Sequence, residues 1–254
     1  MQNPIALPCF DDNYIWLLPG AQGCWVVDPG DAAPVLAWLK QHQQSLAGIL
    51  LTHHHADHTG GTTQLRQLSN CPVWGPDECR QWRTAAVQDQ QLLELAGLGQ
   101  VRVLSVGAHT RGHVAYHLPE QGWLFCGDTL FSAGCGRLFE GTAADLQRAL
   151  ACIDELPAET LLFPTHEYTL SNLRFARHVE PDNAAVVDAE EDVQARRLLN
   201  EPSLPTSLIR ERRINPFLRT HSHALRAQVA QWSGQTFDSE LETLRLLRLW
   251  KDQF

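Results

Sequence analysis

The chain lacks a basic segment followed by a long apolar run in its opening residues MQNPIALPCFDDNYIWLLPG, so no secretory leader is expected. It also lacks any stretch near the roughly 18 uncharged apolar residues that a membrane span needs. Its seven cysteines are odd in number, scattered, and include no C-x-x-C pair. Reduced thiols packed as small apolar residues are expected, rather than a disulfide framework. These absences together predict a cytoplasmic protein with no membrane partner. A basic excess is missing too: the net charge is −9. Residues 1–170 hold 8 Lys and Arg against 17 Asp and Glu, whereas residues 171–254 hold 12 of each. An acidic main region argues against nucleic acid as a substrate. Any anionic substrate must instead be met by cations placed locally. No internal repeat or low-complexity tract is present.

What is there describes an ordinary globular chain, with 44% hydrophobic and 19% charged residues over 254 positions. That length suits one large domain, or a main domain and a smaller one. In the first two-thirds, short apolar runs alternate with turn residues and helical patterns. NYIWLLPG, CWVVDPGD, LAGILLTH, CPVWGP, VRVLSVGAHT, VAYHLPE, GWLFCGDTLF and TLLFPTHEY read as strands. APVLAWLKQHQQ reads as a helix, with further helices predicted over 59–68, 76–84 and 142–154. The mixture predicts an α/β fold. After about residue 170, three helical segments are separated by Pro- and Gly-marked breaks, which predicts an α-helical C-terminal domain over 171–254.

LLTHHHADHTGG, residues 50–61, concentrates four histidines and an aspartate between a strand and a helix. His53, His55 and Asp57 alternate, so an extended backbone would send them to one side. His58 then approaches from another direction, and His54 is out of phase. Neutral imidazole with carboxylate suits zinc or another first-row metal. His109 in GAHTRGH, Asp128 in FCGDTLF and His166 in FPTHEYT each stand at or just past a strand end. A carboxylate closing so apolar a strand has no reason to be buried unless something cationic meets it. Five His and two Asp are too many for one metal.

With these residues in view, THHHADH, His109, Asp128 and His166 resemble the metallo-β-lactamase superfamily. GDTLFSAGCGRLFEGT, HEYTLSNLRFARHVEPDN, INPFLR and the final KDQF are similar to its glyoxalase II (hydroxyacylglutathione hydrolase) branch. The resemblance runs from about Asn13 to Phe254. It implies an αββα sandwich over 1–170, carrying a dinuclear metal site, and a helical glutathione-binding domain over 171–254. One metal would take His53, His55 and His109, and the other Asp57, His58 and His166, with Asp128 and a hydroxide bridging them. That leaves His54 and His113 outside the ligand set. Zinc is the expected metal, with iron or manganese also compatible. Asp57 and Asp128 would act catalytically through the bridging hydroxide.

The implied reaction is hydrolysis of S-(2-hydroxyacyl)glutathione, chiefly S-lactoylglutathione, to glutathione and lactate. It is the second step of methylglyoxal detoxification, carried out by a monomer. A thioester suits such a centre, because a thiol with a pKa of about 8.5 departs without a strong general acid. Arg137, Phe139, Tyr168, Arg248 and Lys251 are the implied substrate contacts. Some family members carry Lys and Tyr where this chain has Arg137 and Phe139. The missing hydroxyl would cost roughly 0.5–1.5 kcal/mol if it made a net hydrogen bond. An iron-dependent persulfide dioxygenase of the same superfamily is the alternative, but it needs only one metal held by two His and a carboxylate.

Overall fold

Near the start of the chain, apolar runs too short for buried helices pair into a sheet. The computed structural model describes residues 2–254, which divide into two compact units. The first comprises the chain up to Val106, Gly112–Gly127 and Phe163–His166. Its first sheet runs in sequence order through β1 (Ile5–Cys9), β2 (Asn13–Gly20), β3 (Gly23–Val27), β4 (Leu46–Leu50), β5 (Val73–Gly75) and β6 (Ala85–Ala86). The two hairpins β1–β2 and β2–β3 are antiparallel; β3 to β6 pair in parallel, so each is reached by a crossover, helical from β3 to β4 and from β4 to β5. Pro8 is tolerated because β1 lies at the edge of the sheet. Helices α1 (Ala32–His42), α2 (Ala56–Thr59) and α3 (Thr62–Ser69) supply the crossovers. Val35, Leu39 and Leu65 pack with Leu17, Val26, Ile49 and Val73 over one face of the sheet.

The second layer of this unit is an antiparallel meander. It consists of β7 (Leu92–Leu95), β8 (Gly99–Ser105), β9 (Val114–Leu118) and β10 (Trp123–Gly127). Aromatic residues join the two layers. Phe163 meets Trp16 edge-on at 4.9 Å and stacks on Phe125 at 4.8 Å, and Trp16 Nε1 donates to the Pro164 carbonyl at 2.9 Å. Tyr116 of β9 donates to the Leu51 carbonyl at 2.8 Å. Cys9, Cys24, Cys71 and Cys79 sit in the apolar cluster, where burial pushes the Cys9 thiol up to about 11 and Cys79 higher still. Such thiols are core residues and not nucleophiles.

The second unit comprises Gly107–Arg111, Asp128–Leu162 and Glu167–Phe254. It contains a hairpin of β11 (Leu130–Phe131) and β12 (Gly134–Cys135), helix α4 (Ala143–Asp154), and β13 (Leu161–Pro164), which shares its last two residues with the first unit. Helices α5 (Thr169–Val179) and α6 (Ala184–Leu198) follow, then β14 (Thr206–Ser207), paired antiparallel with Leu161 and Leu162. Helices α7 (Leu208–Ile214), α8 (His223–Ser233) and α9 (Glu240–Gln253) complete the chain. Leu173, Ala176, Val186, Val193 and Ile214 form the core between α5, α6 and α7. Trp232 of α8 stacks on Trp250 of α9 at 5.0 Å. A capping box at Thr142 and Asp145 starts α4, and Gly234, in the left-handed conformation, ends α8.

One predicted helix is absent. Over 76–84 the chain makes only a 3₁₀ turn at Asp77–Cys79. By Ala85 it must already be extended to pair with Trp74, which leaves no room for a longer helix.

Candidate metal centre

Strand β4 ends at Leu50, and His55, still extended at φ −62° and ψ 147°, caps α2. The alternation expected for three ligands therefore applies only to His53 and His55. Asp57 stands on the first helical turn instead, with His58 beside it. The amides of His58 and Thr59 both donate to the His55 carbonyl at 3.1 Å, and Thr59 Oγ1 donates to the same oxygen at 2.9 Å, which closes the turn. The Asp28-Pro29-Gly30 turn crosses this helix in direct backbone contact. A Cβ on Gly30 would lie 2.0 Å from the Asp57 carbonyl oxygen, so no other residue fits there.

Two donor atoms on one tetrahedral zinc, each about 2.0–2.1 Å from it, stand about 3.3 Å apart. In the first unit, Asp57 Oδ2 is 3.4 Å from both His58 Nε2 and His166 Nε2. His53 Nε2 and His55 Nδ1 are 3.1 Å apart. In the second unit, His109 Nε2 is 3.5 Å from Asp128 Oδ2. All seven expected ligands thus stand in groups with the spacing that a shared cation imposes, and their nitrogen and oxygen donors fit a divalent metal. His54 belongs to none of these groups; its Nδ1 faces Glu78 Oε1 at 3.9 Å. His113 is buried and stacks on the His53 ring at 4.6 Å.

Four of the five histidines use Nδ1 for an outer partner, which directs Nε2 inward. His53 Nδ1 meets Thr52 Oγ1 at 3.0 Å, and His58 Nδ1 meets Asp28 Oδ2 at 3.0 Å. His166 Nδ1 meets Asp12 Oδ1 at 2.8 Å, and His109 Nδ1 meets the Arg137 carbonyl at 2.8 Å. Outer partners of this kind fix ring orientation and tautomer. Burial alone would raise the Asp57 carboxyl. The imidazoles of His166 and His58 facing it at 3.4 Å, with the Asn13 amide that donates to it at 3.1 Å, outweigh that and hold it below the usual carboxylate range.

Nothing in the sequence singles out Asp28, which stands in the run CWVVDPGD. Its carboxylate lies within 4.8 Å of His53 and His58 donors, but it already accepts from the Thr52 amide (2.8 Å), Thr52 Oγ1 (2.7 Å) and His58. With its lone pairs so engaged, Asp28 orients His58 and is not itself a ligand. Asp28→Asn is expected to weaken metal retention about 10- to 100-fold, measured by competition with a chelator. Unaltered retention would reduce Asp28 to a turn residue.

The residues implied to meet substrate all fall in the second unit. Arg137 is exposed, with Nε 3.9 Å from Asp252 Oδ1, and Phe139 lies edge-on to His109 at 5.2 Å. Tyr168 meets Phe131 at 5.2 Å. On α9, Arg245 is paired with Glu242 in solvent, but Arg248 is buried. Arg248 donates to the Cys135 carbonyl at 2.9 Å and to Asp252 Oδ1 at 3.0 Å, and its guanidinium covers the Phe217 ring. Lys251 is half-buried.

Residues 10–166 match the model of the metallo-beta-lactamase superfamily, and residues 167–254 match that of the hydroxyacylglutathione hydrolase C-terminus. A hydroxyacylglutathione hydrolase of Pseudomonas aeruginosa (strain PAO1) is 49% identical over 254 residues, covering 98% of both chains. One from Pseudomonas fluorescens (strain SBW25) is 47% identical over 253 residues, with the same coverage. Among solved structures, ETHE1 from Myxococcus xanthus has a TM-score of 0.68 at 20% identity over 96% of each chain. The BLEG-1 B3 metallo-beta-lactamase has 0.65 at 22%, over 86% of this chain and 99% of its own. At such identities the two structures speak for the fold alone.

Proposed function

The chain belongs to the hydroxyacylglutathione hydrolase family of the metallo-β-lactamase superfamily, and on that premise we propose that it hydrolyses S-(2-hydroxyacyl)glutathione thioesters, chiefly S-lactoylglutathione. The products are glutathione and a 2-hydroxy acid, as in the second step of methylglyoxal detoxification. The observation that carries this reading is the set of ligand-spaced His and Asp donors, joined in one chain to the hydrolase-type C-terminal segment. We assign His53, His55 and His109 to one ion, Asp57, His58 and His166 to a second, and Asp128 to both. Zinc is the proposed metal. Residues 1–170 form the hydrolase domain and residues 171–254 the glutathione-binding domain in this reading.

Two divalent cations held by these ligands would supply Lewis acidity and would bring the pKa of water toward neutrality. The chain's own part is to hold the ligands in one geometry. Asp28, Asp12, Thr52 and the Arg137 carbonyl keep the imidazoles turned inward, so little reorganisation remains when charge develops on the thioester oxygen. Asp57 stays ionised and contributes negative charge at all ordinary pH values. The leaving thiol departs as thiolate, so no cysteine or side-chain acid is required. Cations of the second unit, with Lys251 foremost, meet the carboxylates of glutathione.

No helix among the described residues is long and apolar enough to cross a membrane. We place the enzyme in the cytoplasm as a monomer, for which gel filtration is the check. The purified protein is expected to hydrolyse S-lactoylglutathione without consuming oxygen on glutathione persulfide. Oxygen uptake with a single bound iron would transfer the protein to the persulfide dioxygenases. Lys251→Ala is expected to raise KM for the thioester about tenfold, the loss of one hydrogen bond to a charged group, with metal content unchanged.

A further inference from the structure

Lys251 and the last residue of the chain share an aromatic seat in the second unit. Lys251 Nζ lies 5.1 Å from the centroid of the Phe175 ring and 5.6 Å from that of Phe254. Phe175 is fully buried and fixed by Phe217 and Trp250, so it forms a rigid floor. Phe254 is 57% exposed and leans on that floor, 5.4 Å from Phe175 and 5.1 Å from His178. Among the described residues, no carboxylate is paired with Lys251. Its neighbour Asp252 faces Arg248 at 3.0 Å and Arg137 at 3.9 Å, and the hydrogen bond from Lys251 Nζ to the Ser171 carbonyl is long at 3.5 Å. The rings therefore set where the ammonium sits.

We propose that Phe254 is a positioning residue for substrate binding: its ring face, with that of Phe175, holds the Lys251 ammonium in place to meet a carboxylate of the glutathione portion. The inference rests on the reading of Lys251 as a glutathione contact. A free lysine side chain samples many rotamers and gives up that freedom on binding; one already held between two rings gives up less. The attraction comes from the ring quadrupole, so an aliphatic side chain of similar volume covers Phe175 without attracting the cation. An ammonium lying over ring faces still directs N–H groups outward, where an ion pair would have consumed them.

The test compares Phe254→Leu with Phe254→Tyr, assaying S-lactoylglutathione hydrolysis by the metal-loaded enzyme. Phe254→Leu should raise KM roughly two- to fivefold, the size of an exposed cation–π contact, while kcat and metal content stay constant. Phe254→Tyr, which keeps the ring, should retain the parent KM. In a Lys251→Met background, Phe254→Leu should change nothing further. An unchanged KM for Phe254→Leu, or an equal rise in both backgrounds, overturns the proposal, since Phe254 would then act by packing or not at all. If Lys251→Met itself leaves KM unaltered, the glutathione-contact reading fails first. If Lys251→Met raises KM while Phe254→Leu does not, only the positioning role falls.

Discussion

Asp128→Ala is expected to remove nearly all hydrolysis, lowering kcat by about 10²- to 10³-fold or more. That corresponds to the several kcal/mol that metal-ion stabilisation contributes to such transition states. Asp128 follows β10, whose five residues are all buried, and it is only 6% exposed. A carboxylate in that setting is costly unless a cation and donors meet it. Its Oδ2 stands at ligand spacing from His109 Nε2. The chain around it has no slack: a Cβ on Gly136 would lie 1.9 Å from the Asp128 carbonyl oxygen. Asp128→Asn preserves the shape and removes the charge, so it separates loss of a ligand from loss of fold. Both variants should bind fewer than two metals per chain. Full activity with two metals bound would refute the assignment of Asp128.

Glu211→Ala is expected to have the largest effect on stability, about 3 kcal/mol, because it leaves several buried donors without an acceptor. Glu211 is completely buried on α7. Its carboxylate accepts from Ser132 Oγ (2.8 Å), the Ala133 amide (2.7 Å), Thr206 Oγ1 (2.7 Å) and Asn215 Nδ2 (3.1 Å). Burial raises its pKa, and these hydrogen bonds work against the rise without cancelling it. The network fixes Ala133 in the left-handed region at φ 55°, between β11 and β12. It thereby fixes the segment joining Asp128 to Arg137. For a chain of this size, a loss of that magnitude lowers the melting temperature by roughly 6–12 °C. Glu211→Gln, which keeps the volume and one acceptor, should fall between the two. A melting point within a degree of the parent's would show that the hairpin holds itself.

What was legible in the sequence was whatever a short local pattern fixes. His53, His55, Asp57 and His58 lie within six positions, and His109, Asp128 and His166 each follow an apolar run, so a metal-binding role could be expected of them without coordinates. Glu211 could not, because LIRERR looks like a solvated helical face and only packing against the β11–β12 hairpin buries its carboxylate. Asp28 was hidden by its neighbours, since Asp-Pro-Gly makes a turn whatever the carboxylate touches. Glu242, Arg245, Arg248 and Lys251 recur every three residues, which in the sequence looks like one charged helical face. Steps of three residues fall about 60° short of a full helical turn, so the stripe winds around α9. By Arg248 it has come round to the side that also buries Leu244 and Leu247, while Glu242 stays at the surface.

The central claim is that one chain holds two metal ions and that both are needed for thioester hydrolysis. Metal content and S-lactoylglutathione hydrolysis measured on the same sample, during stepwise reloading of the chelated enzyme with zinc, test it directly. The account predicts that activity is restored only as occupancy reaches two ions per chain. Full activity at one ion per chain, or activity surviving complete removal of metal, would contradict it.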